Sequence, residues 1–220
     1  ITVALSISAA RMARRHVIVR GLPAVEALGS CTLIASDKTG TLTCNVLTAR
    51  RLVLPSPTGQ FVELSVQGEG YAPAGGVLLD GALPDAALLA SARDLARAGV
   101  LCNEASYEIT AAGPVHMGDT VDVAFLVLGR KLGLTRGASL ATHPEAGVVA
   151  YEPSRRFAAS FNRVAGATVA HVKGAPEVLL PMCGGVSPAA AAQAARLAGE
   201  GYRVLAVAAG PVGEAAPASL

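Results

Sequence analysis

A short apolar run leading into a carboxylate does most to narrow the fold of this 220-residue chain: Cys31-Thr32-Leu33-Ile34-Ala35, then Asp37-Lys38-Thr39-Gly40-Thr41-Leu42-Thr43. Five apolar-rich residues bounded by turn formers predict a buried strand of a parallel sheet. The Thr-Gly-Thr that follows predicts a tight, donor-rich turn. Asp37 then stands at the carboxyl end of a strand, where open α/β sheets bind their ligands.

The residue types fit one kind of chemistry. A carboxylate can attack the terminal phosphorus of ATP and form an acyl phosphate, which splits a hard transfer into two easier ones if the phosphoryl oxygens are neutralised. Lys38, the hydroxyls of Thr39 and Thr41, and amides freed by Gly40 supply part of that neutralisation, and a magnesium ion on Asp37 and Thr39 supplies the rest. The bland reading is an aspartate that caps a turn beside a solvated lysine.

Length allows one large or two small domains. A net charge of +2 with 15% charged residues gives no basic face for nucleic acid. Hydrophobic content is 52%, yet no apolar run reaches the eighteen or so residues that a membrane span needs. The apolar opening, residues 1–10, is followed by Arg11, Arg14 and Arg15. It reads as the cytoplasmic end of a membrane helix, with an amphipathic surface helix as the alternative. Cys31, Cys44, Cys102 and Cys183 form no C-x-x-C pair, so neither a zinc site nor a disulfide framework is indicated.

Along the chain, the alternation of Leu52, Leu54, Phe61, Val62, Leu64 and Val66 around residues 55–59 predicts a hairpin, and residues 68–81 an exposed loop. Pro84 is expected in the first turn of a helix that buries Leu88, Ala92, Leu95 and Ala96 and ends near Gly99. A second helix starts at Asp119, with Asp122 reaching back as a cap. Its apolar stripe is Val121, Ala124, Phe125, Leu128 and Leu132, and Arg130, Lys131 and Gly133 end it. Residues 148–151, 157–161 and 167–172 predict an antiparallel sheet. A last helix over 187–199, a strand over 204–208 and a frayed tail from Gly210 complete the reading.

The Asp37 motif resembles the phosphorylation motif of P-type cation-transporting ATPases. The likeness extends upstream through Val17-Ile18-Val19-Arg20-Gly21-Leu22-Pro23 and downstream through four further blocks. The resemblance implies an α/β (α+β) fold: an antiparallel sheet flanked by helices as nucleotide-binding domain, plus the first strand of a haloacid-dehalogenase-like phosphorylation domain. It divides the chain into a membrane-proximal stalk (1–29), the start of the phosphorylation domain (30–46) and the nucleotide-binding domain (47–220). In Lys173-Gly174-Ala175-Pro176-Glu177 the lysine matches one in the family's adenine pocket, at a sheet end where Gly174 lets the backbone approach a ligand. In Tyr151-Glu152-Pro153-Ser154-Arg155-Arg156-Phe157, Tyr151 is implied to stack on adenine and Arg156 to face the phosphates. Asp122 matches an acidic residue on the adenine side, a role compatible with capping, and Arg203 an arginine that contacts the phosphates.

The intact protein is thus expected to be an ion-translocating ATP hydrolase of the calcium-type branch, using ATP and Mg2+. Its partners are the actuator, phosphorylation and transmembrane domains and the transported cation, and this segment lies on the cytoplasmic side. The family's second Thr-Gly-Asp and its Gly-Asp-Gly-x-Asn-Asp loop do not occur in these residues, so this piece is expected to bind nucleotide without turning it over. Two other classes stay open. Haloacid-dehalogenase phosphatases usually carry a second aspartate two residues after the first, to protonate a leaving alcohol; Thr39 stands there, and a nucleotide diphosphate leaves without an acid. A non-catalytic nucleotide-binding module is the third class.

Overall fold

The structure is a computed structural model that describes residues 2–56, 59–184 and 188–212. The chain divides into two compact units, Ile1–Asn45 and Val46–Leu220.

The first unit holds helices α1 (Thr2–Ala13) and α2 (Leu22–Gly29). Pro23 sits at the start of α2, where its missing N–H costs no helical hydrogen bond. No helix among the described residues is long and apolar enough to cross a membrane. The strand expected over residues 31–35 does not form. The segment is unpaired, with Leu33 83% and Ile34 86% exposed. A parallel strand needs a neighbour on its hydrogen-bonding edge, and every sheet among the described residues is composed of antiparallel pairs from residue 51 onward.

The second unit opens with the expected hairpin, β1 (Arg51–Pro55) against β2 (Phe61–Val66), with Leu52 opposite Leu64. Its turn residues Pro57 and Thr58 lie outside the described residues. Alternation turns Leu52, Leu54, Leu64 and Val66 into the core. The expected loop over 68–81 contains a short strand, β3 (Val77–Leu78), that pairs with β2 and buries Val77.

Helix α3 (Ala86–Leu101) buries Ala92 and Ala96, with Leu88 and Leu95 packed beside them. Its cap is Asp85, which accepts from the Leu88 amide at 2.7 Å, so Pro84 precedes the helix instead of lying in its first turn. Gly99 does not end the helix. It lies inside α3 because α4 crosses there: a Cβ on Gly99 would fall 2.1 Å from Phe125 Cδ1. Between the two helices runs a hairpin, β4 (Ser106–Thr110) with β5 (Gly113–Met117).

Helix α4 (Thr120–Lys131) is capped by Asp119, which accepts from the Val121 amide at 2.8 Å, and Gly133 follows its end at φ 78°. Its apolar surface is wider than one stripe. Phe125, Leu128 and Leu132 join the core of β1, β2 and α3, while Val123, Leu126 and Val127 pack with Val100, Ala105 and Tyr107. A helix apolar on most sides is a buried helix.

After α5 (Arg136–Thr142), the chain forms a four-stranded antiparallel meander: β6 (Glu145–Val149), β7 (Phe157–Val164), β8 (Ala167–Gly174) and β9 (Ala206–Val212). Between β8 and β9 come α6 (Pro176–Met182) and α7 (Pro188–Gly199). The strands are shifted from their expected limits. β6 stops before Tyr151, β7 and β8 run longer, and β9 continues through Gly210 to Val212 because each of its residues finds a partner on β8. Ser187 and the tail beyond 212 lie outside the described residues. Phe161 is fully buried at the centre of β7. Beside it a polar group is sealed in: Asn162 Oδ1 takes bonds from Ser160 at 3.0 Å and His171 Nδ1 at 2.9 Å, and its amide donates to the His143 carbonyl at 3.0 Å.

Candidate functional site

In the first unit, residues 37–43 close on themselves. Asp37 Oδ1 accepts from the Thr39 amide at 3.2 Å, the Thr43 amide donates to the Lys38 carbonyl at 3.2 Å, and the Gly40 amide donates to Thr43 Oγ1 at 3.3 Å. Gly40 occupies the left-handed region at φ 76°, which a side chain would disfavour. The carboxylate of Asp37 and the side chains of Lys38 and Thr39 are exposed on this turn. Mg2+ takes hard oxygen ligands, keeps several waters, and needs one or two carboxylates plus substrate phosphates. Asp37 and Thr39 offer that chemistry. Among the described residues no three His, Cys, Asp or Glu side chains gather to hold a metal.

In the second unit, topology brings most of the expected nucleotide residues to one edge. Antiparallel pairing sets the end of β6, the start of β7, the end of β8 and the start of β9 side by side: Val149 faces Ala159, Ala158 faces Lys173, and Lys173 faces Val207. Tyr151 follows β6, Arg156 precedes β7, Lys173 and Gly174 close β8, and Arg203 precedes β9. All five therefore sit at the same end of the meander. Tyr151 is 56% exposed, and Arg203 is exposed as well.

Asp122 joins them from α4. Its Oδ1 is ion-paired with Lys173 Nζ, and its Oδ2 accepts from the Glu104 amide at 2.9 Å. The expected reach back to its own helix is absent, because this carboxylate is drawn to a cation and to the corner after α3. The corner is fixed by Asn103, whose amide donates to the Asp122 carbonyl at 2.9 Å and the Gly99 carbonyl at 3.2 Å. Lys173 Nζ also lies 5.7 Å from the centre of the Phe125 ring, within cation–π range. Cys102 packs nearby, and burial pushes its thiol up to about 11 although Lys173 opposes the shift.

Two expectations change here. Lys173 and Gly174 are the last residues of β8 and do not follow it. Gly174 serves a close backbone approach, but toward the protein itself: a Cβ there would meet the Arg156 carbonyl at 2.6 Å and Phe157 Cβ at 2.7 Å. A shallow recess lined by Leu47, Thr48, Val66, Gly70, Ala124 and Lys131 runs along α4 and takes in none of the expected nucleotide residues. Sequence reasoning missed Phe125, Asn103 and Glu177, whose Oε1 is paired with Arg156 Nη1. Phe125 had a signal, since it lies three residues from Asp122 and shares its helix face.

The model of the P-type ATPase cytoplasmic domain N matches residues 91–219, more than half of the chain. This chain belongs to the P-type ATPase family. The N domain of P-type cation ATPases is their nucleotide-binding domain, and the observed antiparallel sheets flanked by helices are its architecture. The chain is similar to the cation-transporting ATPase pma1 of Synechocystis, 34% identical over 194 residues that cover 83% of this chain and 20% of that protein. It is similar to "Probable cation-transporting ATPase F" of Mycobacterium tuberculosis, at 35% over 187 residues, 84% of this chain and 20% of that one. Calcium-transporting ATPase type 2C member 1 of Bos taurus is 36% identical over 134 residues, 61% and 13% of the two chains. The chain thus spans about a fifth of the length of the first two relatives.

Proposed function

We propose that the second unit binds ATP at the strand-end edge of the meander and that Asp37 accepts the terminal phosphoryl group in the intact protein, an ATP hydrolase that transports a cation. The observation that carries the binding half is the convergence of Tyr151, Arg156, Lys173 and Arg203 at one sheet end, with Asp122 held against Lys173. Tyr151 offers an exposed aromatic face for a purine. The Lys173–Asp122 pair forms a polar wall beside that ring, and Arg156 and Arg203 offer guanidinium forks for phosphates. Affinity is expected to be weak, about 0.1 to several millimolar, because the edge is open to water.

At Asp37, a carboxylate oxygen attacks the terminal phosphorus, a P–O bond forms, and the bond to the bridging oxygen breaks with ADP as leaving group. ADP needs no proton to depart, in keeping with Thr39 where a phosphatase would place its acid. Magnesium, when bound, neutralises charge on the phosphoryl oxygens. Lys38 adds a second positive charge, and the exposed carboxylate is free to meet a ligand. The membrane-proximal role of residues 1–29 and the expected domain limits at 29 and 46 belong to the same proposal.

Calorimetric or amide-shift titration with ATP tests the binding half. Lys173→Ala combined with Tyr151→Ala is expected to abolish measurable binding, and an unchanged isotherm removes the site. In the full-length pump, radiolabel from the terminal phosphate is expected on the protein and absent in Asp37→Asn. Hydrolysis of small phosphate esters by this chain would instead favour the phosphatase class.

A further inference from the structure

We infer that Glu177 is a built-in competitor for the phosphate end of the nucleotide, holding Arg156 until an anionic ligand takes its place. This deepens the nucleotide reading and rests on it. Glu177 lies in the first turn of α6, and its Oε1 is 2.7 Å from Arg156 Nη1. The arginine is not placed by chance. Its backbone is left-handed at φ 59°, a region that non-glycine residues seldom occupy. Hydrogen bonds hold it there on both sides: its amide donates to the Glu152 carbonyl at 2.7 Å, and its carbonyl accepts from the Ala175 amide at 3.0 Å. The second bond ties Arg156 to the residue just before α6, beside the missing side chain of Gly174, and so brings the guanidinium within reach of Glu177.

The neighbouring Arg155 is committed elsewhere, to Glu152. Each arginine of the pair therefore has its own carboxylate, but Glu152 belongs to the same turn whereas Glu177 is 21 residues away. The two ion pairs at the sheet end also differ in character. Lys173 and Asp122 are 8% and 13% exposed, so their pair persists as part of the packing. Arg156 and Glu177 are 51% and 61% exposed, so water screens them and their exchange costs little. A phosphate chain carries more charge than a carboxylate and presents more acceptor oxygens to a guanidinium fork. Exchange on Arg156 therefore favours a phosphorylated ligand, while a neutral nucleoside gains nothing from it. Glu177 lowers affinity in proportion to the charge of the ligand and leaves binding of the base untouched.

The test is calorimetric titration of the chain, of Glu177→Gln and of the same substitution in an Arg156→Gln background, each with ATP and with adenosine. The amide spectrum of each variant checks that it is folded. Glu177→Gln is expected to raise ATP affinity on the order of two- to fivefold with adenosine unchanged, and the gain is expected to be largely lost without Arg156. An unchanged or lower ATP-to-adenosine ratio in Glu177→Gln overturns the inference, as does an equal gain in the Arg156→Gln background. If the unmodified chain binds neither ligand, the nucleotide reading itself fails and this inference with it. If it binds adenosine normally and only the ratio stays put, Glu177 alone is acquitted of the role.

Discussion

The two units of this chain handle the same kind of residue in opposite ways. Among residues 2–45 no described side chain is buried, and Leu33, Ile34 and Leu42 stand 73% or more exposed. From residue 46 onward, Leu64, Leu101, Leu128, Phe161 and Leu179 are sealed almost completely. The difference is one of interaction range. The turn at residues 37–43 is built from bonds that reach two to five residues along the chain, so it forms wherever those residues are. The sheet-end site needs β6, β7, β8 and β9 in register and α4 packed beside them, so it exists only in a folded unit.

Four measurements put that contrast under strain, taken from the largest expected effect. Phe161→Ala is expected to lower the unfolding free energy by about 3–5 kcal/mol, measured by denaturant titration, while Leu33→Ala changes it by no more than about 0.5 kcal/mol. A large loss from Leu33→Ala would erase the distinction between the units. Lys173→Met strands the Asp122 carboxylate in a nearly buried place and is expected to cost about 3 kcal/mol, with Asp122→Asn added to it recovering most of the loss.

Acid acts through His171. Burial, aided by the positive ends of His143 and Arg97, lowers its pKa from 6.5 to about 4. The unfolded chain therefore binds a proton that the folded chain refuses. This contribution to stability is complete above pH 6.5 and is lost as pH falls toward 4, on the order of 3 kcal/mol in all. His171→Leu is expected to flatten the stability profile over that window, and an unaltered slope would assign the acid sensitivity to other groups. The smallest effect compares two aspartates with the same local bond. Asp119→Ala, which uncaps a packed helix, is expected to cost about 1 kcal/mol. Asp37→Ala, which opens an exposed turn, is expected to leave the melting transition of the second unit where it is.

What could be read in advance follows the same division. The Asp37 turn, the cap at Asp119, the hairpin of β1 and β2, and the strands of the meander all announce themselves through neighbours in sequence or through alternation. The partner of Asp122 does not, because Lys173 is 51 residues further on and the competing cap lies close by. The hairpin of β4 and β5 escaped because most of its residues are exposed, and Gly113-Pro114 gives no hairpin pattern between apolar runs. The apolar run before Asp37 was misleading in the opposite sense. Its composition suits a buried strand, but composition cannot supply the neighbouring edge on which a parallel strand depends. Arg156 shows a third kind of limit: nothing in an Arg-Arg-Phe triplet announces a left-handed backbone, which is imposed by the glycine-assisted contact with the end of β8.

The meander has a consequence for how such a protein can change over time. Because much of its connecting chain is exposed while its strands carry the packing, residues on those connections can change with little disturbance to the interior. Tyr151 and Arg156 sit on one such loop and Arg203 on another, so these positions are open to small local edits. The lysine at the end of β8, tethered to a helix from another part of the unit, is anchored more firmly.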